Sequence, residues 1–139
     1  MIKIDSQEKV VPYDAALVYG VLSNLENLER VSHLIPKDEV KDFTYDQNSV
    51  SFSVSPIGNV SFAIVERRDN ELIRFKSDKL PFDVYMDINL SPETDSSTFL
   101  GVSVEANIGL LMKGMVEKPL TDVAERVSEV LSNLKYDQI

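Results

Sequence analysis

The stretch that decides the fold is VEKPLTDVAERVSEVLSNL, residues 116–134. Its apolar residues recur at steps of four and three, which is the spacing of one face of an α-helix. This stripe consists of Val116, Leu120, Val123, Val127, Val130 and Leu134, widened by Ala124 and Leu131. The pattern predicts a long closing helix from Gly109 to Leu134. Pro119 lies inside it and removes one helical hydrogen bond, so we expect a kink or a break there.

Upstream of this helix, apolar and polar residues alternate in successive short stretches, as they do in half-buried strands. An opening strand, Ile2–Val11, ends at Pro12, and helical spacing predicts two short helices between Tyr13 and Pro36. Strands joined by short turns pair as an antiparallel meander, and its apolar face needs a cover. The sequence therefore predicts an α+β helix-grip fold, a curved antiparallel sheet of about seven strands with two short helices after the first strand and a long C-terminal helix. We expect residues 1–139 to form a single domain.

The order of these elements resembles the SRPBCC superfamily, which includes START lipid-transfer domains, the birch-pollen allergen (Bet v 1) family and polyketide cyclases. Residues 10–24, VVPYDAALVYGVLSN, are similar to its first strand, proline, helix and following turn, and residues 115–120, MVEKPL, are similar to the start of its closing helix in small bacterial members. The resemblance covers the whole chain. It implies a sheet that grips the closing helix, with a space between them that often holds an apolar ligand. The superfamily includes binders, cyclases, hydrolases and chaperone cofactors, so the fold does not decide the function.

Composition and charge exclude several function classes. The chain has 139 residues, of which 43% are apolar, and it has no cysteine, so disulfides, zinc–thiolate sites and thiol nucleophiles are excluded. Its formal net charge of −9 repels phosphate backbones. The basic spots, Arg67-Arg68 and Lys113 with Lys118, have no interleaved aromatic residues, so we expect no nucleic-acid partner. No apolar run reaches the roughly 20 residues of a membrane span and no signal-peptide pattern is present, so we expect no membrane insertion and a cytoplasmic location.

The sequence shows no catalytic motif. His33 is the only histidine, and its place near the end of a short helix favours a surface position over a role as general base. The serines that alternate through residues 49–55 lack a Gly-x-Ser-x-Gly elbow and predict the wet face of a strand. Asp83 and Asp87 share one strand face and could form a dyad, but that face is opposite the apolar one, so we expect both in solvent. We expect no catalytic residue, no metal site and no cofactor.

The inward apolar face supplies the candidate ligand site. Its large side chains are predicted to meet between the sheet and the closing helix; they are Phe52, Phe62, Phe75, Met86, Met112 and Met115. Aromatic rings and flexible methionines suit a ligand of irregular shape, and they equally suit a filled core.

If a cavity exists, we expect it beside the first half of the helix, where Gly109 and Gly114 leave room. Beyond Pro119 we expect a stiff core. There, Leu120, Val123 and Val127 are predicted to be fully buried against the strand face of Phe52, Phe62 and Val102.

Three functions fit this pattern. The sequence favours non-catalytic binding of an apolar small molecule, lipid-like or polyketide-like. A cyclase or aromatase acting on a similar ligand would need an inward polar group, for which the candidates are Asp42, Thr44, Tyr45 and Ser77. A protein-interaction module, like the chaperone-cofactor branch, would show an exposed apolar patch rather than a deep pocket. The identity of the ligand and the oligomeric state stay open.

Overall fold

The computed structural model describes residues 2–30, 41–54, 58–78, 80 and 82–139. Within these residues, eight strands form one antiparallel sheet. The strands are β1 (Ile2–Asp5), β2 (Lys9–Val11), β3 (Lys41–Tyr45), β4 (Ser49–Val54), β5 (Gly58–Arg68), β6 (Leu72–Ser77), β7 (Val84–Thr94) and β8 (Ser97–Ala106). The helices are α1 (Ala15–Leu22) and α2 (Leu110–Ser132), with 3-10 helices at Leu25–Arg30 and Tyr136–Gln138. This architecture confirms the predicted helix-grip fold.

The strand order is β1-β8-β7-β6-β5-β4-β3, and β2 also pairs with β8. Strands β3 to β8 therefore form the expected meander of sequential neighbours. The predicted opening strand is divided into two pieces because the chain leaves the ladder after Asp5. There the Ser6 amide donates to the Val102 carbonyl and the Ser6 hydroxyl accepts from the Val102 amide, at 2.7 and 2.9 Å. The sheet stays open, with β3 at one edge.

The sheet has an inner face, on which α2 packs, and an outer face. The backbone of α2 comes closest to β8, β1 and β2. Val116, Leu120, Ala124 and Leu131 are buried on its packed side, which confirms the position of the apolar stripe. Val102 lies on β8 and therefore belongs to the half of the sheet under this helix.

The predicted burial is right for Leu120, which is buried, and wrong for Val123 and Val127, which are half-buried. In the second half of the helix the buried side runs through Ala124, Ser128 and Leu131, so these valines lie beside it. The strands of Phe52 and Phe62, β4 and β5, are not among those that α2 approaches most closely.

The second half of α2 is fastened to the break between β1 and β2. The Glu125 carboxylate accepts a hydrogen bond from the backbone amide of Gln7 at 3.0 Å. The buried Ser128 hydroxyl donates to the backbone carbonyl of Gln7 at 3.4 Å. Beyond the helix, the Tyr136 hydroxyl donates to the Leu131 carbonyl, and its ring meets the Tyr13 ring edge-on at 5.7 Å. Burial raises the pKa of Tyr136, so this hydroxyl stays protonated and keeps its hydrogen bond.

The first half of α2 is anchored less firmly. The helix runs through Pro119 without ending, so the first of the two predicted outcomes, a kink, stays a prediction and the second, a break, is wrong. Gly109 precedes the first turn and offers no side-chain cap. Gly114 is exposed, and a Cβ atom added there would meet no other atom within 4 Å. Gly114 therefore leaves space on the solvent side of the helix, not beside the sheet.

Candidate functional site

Four aromatic side chains form a row across β3, β4 and β5, and we call Tyr45, Phe43, Phe52 and Phe62 the aromatic row. The centroids of the Tyr45 and Phe43 rings are 5.8 Å apart, those of Phe43 and Phe52 are 6.5 Å apart, and those of Phe52 and Phe62 are 6.1 Å apart. Phe43 and Phe52 are stacked, and so are Phe52 and Phe62. These separations lie within the range of favourable ring–ring contacts.

Strand β3 contains a bulge next to the row. Lys41 pairs with Ser53 and Thr44 pairs with Ser51, so β3 has one residue more than β4 between these two pairs. Asp42 is the extra residue, with φ of 55°, a left-handed conformation that aspartate tolerates better than most residues. Tyr45 pairs with Val50, so Tyr45 and Phe43, two residues earlier, lie on the inner face with Phe52.

Burial of the rings decreases towards the edge of the sheet. Phe62 is buried, and so are Phe75 and Met86 on the neighbouring strands. Phe52, Phe43 and Tyr45 are half-buried. The row therefore begins in the core and ends at the open edge of the sheet.

The structure places four of the six predicted ligand residues on the inner face of the sheet. Phe52 and Phe62 are stacked in the row, and Phe75 is paired across the ladder with Ile64 on one side and Met86 on the other. Sequence reasoning missed Phe43 as a member of this surface. It named Tyr45 only as a polar candidate of uncertain face.

Met112 and Met115 do not join this group, because 37% and 69% of their surfaces are exposed. The inward position expected for Met115 is wrong, whereas Met112 is partly exposed on the side of the buried stripe. Met115 is next to Val116 and is therefore turned about 100° away from the buried stripe. Met112 is one turn before the buried Val116, near the start of α2, and is the less exposed of the two.

The polar candidates for proton transfer are separated. Asp42 and Thr44 are exposed, and Tyr45 is half-buried in the row. Ser77 is buried on the inner face, where it pairs with Phe62 across the β5–β6 ladder, and its Oγ accepts a hydrogen bond from the Val84 amide at 3.0 Å. Of these four side chains, Ser77 is the one that lies deep beside the apolar surface.

The outer face carries the acidic pair. Asp83 is exposed, as predicted, and lies 3.9 Å from the Lys76 ammonium. Asp87 is buried, which contradicts the expectation of solvent exposure. The Arg74 guanidinium donates to both of its carboxylate oxygens at 2.8 Å and lies over the Tyr85 ring, 5.7 Å from the centroid. The hydrogen bonds to Asp87 raise the pKa of Arg74, so we interpret the pair as a structural ion pair rather than half of a catalytic dyad.

The predicted wet strand face is partly covered as well. Ser51 and Ser53 are half-buried on the outer face. The Ser51 hydroxyl donates to the Ser61 hydroxyl at 2.9 Å, and the Ser53 hydroxyl donates to the side-chain oxygen of Asn59. These hydrogen bonds link β4 to β5 and give the serines a structural role.

His33 lies outside the described residues. Among the residues that are described, no group of three or more histidine, aspartate or glutamate side chains is placed to hold a metal ion. In the same part of the chain, no helix has both the length and the apolar character needed to cross a membrane.

No protein-family model and no curated protein sequence matches this chain. Solved structures do match it. Norcoclaurine synthase from Thalictrum flavum, in complex with dopamine and hydroxybenzaldehyde, has a TM-score of 0.76 at 15% identity, over 99% of this chain and 88% of that one. A START superfamily protein from Mycobacterium smegmatis has a TM-score of 0.69 at 17% identity, over 98% and 97% of the two chains. A protein from Thermus thermophilus has a TM-score of 0.65 at 18% identity, over 94% of each. At these identities the likeness shows the fold.

Proposed function

We propose that this protein binds an apolar, ring-containing small molecule on the aromatic row and does not change it chemically. Its helix-grip fold, of the START and birch-pollen-allergen type, supports a binding role. The observation that carries the proposal is the gradient of burial along the row, from buried Phe62 to half-buried Phe52, Phe43 and Tyr45. A flat ligand would stack on the half-buried rings and remove their remaining surface from water.

The energetics support a ring compound over a simple aliphatic one. Each well-placed ring–ring contact contributes about 0.5–1.5 kcal/mol beyond burial, and burial itself contributes roughly 25 cal/mol per Å² of apolar surface. The similar norcoclaurine synthase structure holds dopamine and hydroxybenzaldehyde, which are both ring compounds. A polyketide-like ligand fits this chemistry.

The ligand role predicted for Phe52, Phe62, Phe75 and Met86 is kept in this proposal. Met112 and Met115 are left out of it because they are exposed on α2. A cytoplasmic location and a single domain over residues 1–139 belong to the same proposal.

The alternative of a cyclase or aromatase has weaker support. It requires a proton donor or acceptor beside the ligand. Asp42 and Thr44 are exposed, and within the described residues the Ser77 hydroxyl is hydrogen-bonded to a backbone amide rather than to a base. The alternative of a protein-interaction module would use exposed apolar side chains such as Met112 and Met115, which share the first half of α2.

Titration with N-phenyl-1-naphthylamine tests the proposal. This uncharged ring compound fluoresces in apolar surroundings, and the chain has no tryptophan to interfere. We expect the wild type to bind it, and Phe52→Ala to weaken binding by about 10-fold because one stacking contact and its buried area are lost. The matched control is Phe99→Ala, which removes a half-buried phenylalanine from the outer face of β8 and should leave affinity unchanged.

Native mass spectrometry of the purified protein complements the titration, because a ring compound that co-purifies would appear as a mass adduct. No probe binding together with a clean apo mass would refute the proposal. An equal loss of affinity in Phe52→Ala and Phe99→Ala would place the ligand elsewhere. A bound compound whose mass changes during incubation would favour the cyclase instead.

A further inference from the structure

Ser77 is a buried polar residue at the inner end of the candidate site. It is the last residue of β6, and its partner across the ladder is Phe62, the innermost member of the aromatic row. Only 7% of its surface is exposed. Phe75, two residues earlier on the same face of β6, and Val84, which follows in β7, are both buried, so the Ser77 hydroxyl lies among apolar side chains.

Among the described residues, this hydroxyl has one hydrogen-bond partner, and it acts there as the acceptor. A serine hydroxyl offers one O–H donor and two acceptor lone pairs. The Val84 amide uses one lone pair, at 3.0 Å. Within the described part of the chain, no acceptor receives the Ser77 O–H. A buried donor without an acceptor is unfavourable, and an oxygen atom of a bound molecule beside Phe62 would satisfy it.

We infer that Ser77 anchors the ligand by donating a hydrogen bond to an acceptor oxygen on it. This inference rests on the proposed function and narrows its ligand class. The ligand would have a flat apolar part, which stacks along the aromatic row, and a carbonyl or similar acceptor oxygen at the end that reaches the β6–β7 side of the site. A hydrocarbon of the same shape would leave the Ser77 O–H unpaired. Aromatic and polyketide-like ketones belong to the class selected in this way.

A pair of matched probes tests the role of the oxygen. 2-Acetylnaphthalene and 2-isopropylnaphthalene share their ring system and nearly share their shape, but only the ketone has an acceptor oxygen. Each is titrated as a competitor of N-phenyl-1-naphthylamine, and the measured quantity is the ratio of their two affinities. The ratio cancels the cost of desolvating the ketone, which is the same for every variant.

We expect Ser77→Ala to lower the ketone-to-hydrocarbon ratio by about 3- to 10-fold, the range of one neutral hydrogen bond. Affinity for the hydrocarbon should stay the same. The matched control is Ser61→Ala, which removes another buried serine hydroxyl from the outer face of the neighbouring strand β5 and should leave the ratio unchanged.

Every other outcome contradicts either the anchoring role of Ser77 or the proposed function. An unchanged ratio in Ser77→Ala would refute the anchoring role while the proposed function stands, because both probes still displace the dye. Equal weakening of both probes would show that Ser77 only supports the fold. If the wild type fails to bind the dye at all, the proposed function fails and this inference fails with it.

The Ser77→Ala change also removes the acceptor of the buried Val84 amide. If that variant does not fold, Ser77→Cys replaces it, since a thiol has nearly the same shape and is only a weak donor. The same fall in the ratio is expected from it, and an unchanged ratio in a folded Ser77→Cys protein would refute the anchor.

Discussion

Replacing Asp87 with asparagine tests whether a buried ion pair holds the outer face of the sheet. Its Oδ1 and Oδ2 accept hydrogen bonds from Nε and Nη2 of Arg74, each at 2.8 Å. The Asp87 side chain is 9% exposed and that of Arg74 is 34% exposed. Asparagine keeps the shape of aspartate but has no negative charge, and its NH₂ group would face the guanidinium donors. The substitution therefore removes the attraction without opening a cavity.

The exposure of Arg74 determines how much the substitution is expected to lower the free energy of unfolding. Hydrogen bonds to charged groups contribute about 1.5–3 kcal/mol when they are well protected, whereas exposed ion pairs contribute about 0–1 kcal/mol. Because a third of the Arg74 side chain is in contact with solvent, we expect Asp87→Asn to lower the free energy of unfolding by about 1–2 kcal/mol. The matched control is Asp83→Asn on the same face. Its carboxylate is exposed and 3.9 Å from Lys76, so the expected loss is below about 0.5 kcal/mol.

Urea unfolding followed by far-ultraviolet circular dichroism measures both variants, since the chain lacks tryptophan. A double-mutant cycle with Arg74→Met isolates the pair, and we expect a coupling energy of about 1 kcal/mol. A loss in Asp87→Asn that is no larger than in Asp83→Asn would refute the reasoning. Strictly additive losses in the cycle would also refute it, because they would show that Arg74 and Asp87 act independently.

Three further predictions concern α2. Gly114→Ala should raise the free energy of unfolding by about 0.5–1 kcal/mol, because glycine is unfavourable inside a helix and the new methyl group would meet no other atom; a lower stability in the same urea assay would contradict this. Leu120→Ala should lower it by about 2–5 kcal/mol, because Leu120 is buried; a loss within experimental error would disprove the packing of α2. Amide hydrogens of residues 110–118 should exchange faster than those of residues 120–132, because the first half lacks a side-chain cap and the second half is tied to Gln7. Mass spectrometry measures this exchange, and equal protection of both halves would count against the difference.

The fold could be predicted from the sequence because it depends on two spacings of the apolar residues, one typical of strands and one typical of helices. Alternation of apolar and polar residues identified the strands of the meander, and the stripe from Val116 to Leu134 identified the closing helix. The interruption of the opening strand had no such signal. It depends on Ser6 and on the tie from Gln7 to α2, which are contacts between residues far apart in the sequence.

Side-chain alternation also predicted which face Asp87 occupies but not that it is buried. Alternation along a strand assigns a residue to one side of the sheet, but it does not predict which side chains cover that side. The cover is Arg74, which lies directly opposite Asp87 only because of the register between β6 and β7. A strand register is set by the whole ladder, so it was not available from either segment alone.

The candidate site was predicted in part for a similar reason. Phe52 and Phe62 belong to clearly alternating stretches, and their face followed from the pattern. Phe43 and Tyr45 lie in a short strand whose alternation is interrupted at Asp42, so counting forward from Lys41 assigns them to the wrong face. The spacing of two aromatic residues at Phe43 and Tyr45 was the signal that could have identified them.

The two halves of the sheet differ in what they contribute to the core and to the candidate site. α2 comes closest to β8, β1 and β2, and its buried residues, with Leu120 among them, supply much of the core on that side. The half-buried rings of the aromatic row lie on β3 and β4, towards the opposite edge. A change at Phe52 or Phe43 therefore removes less buried surface than a change at Leu120, and it should alter binding more than folding. A fold arranged in this way can tolerate changes of side chain at the open edge while the helix-covered half keeps the protein folded.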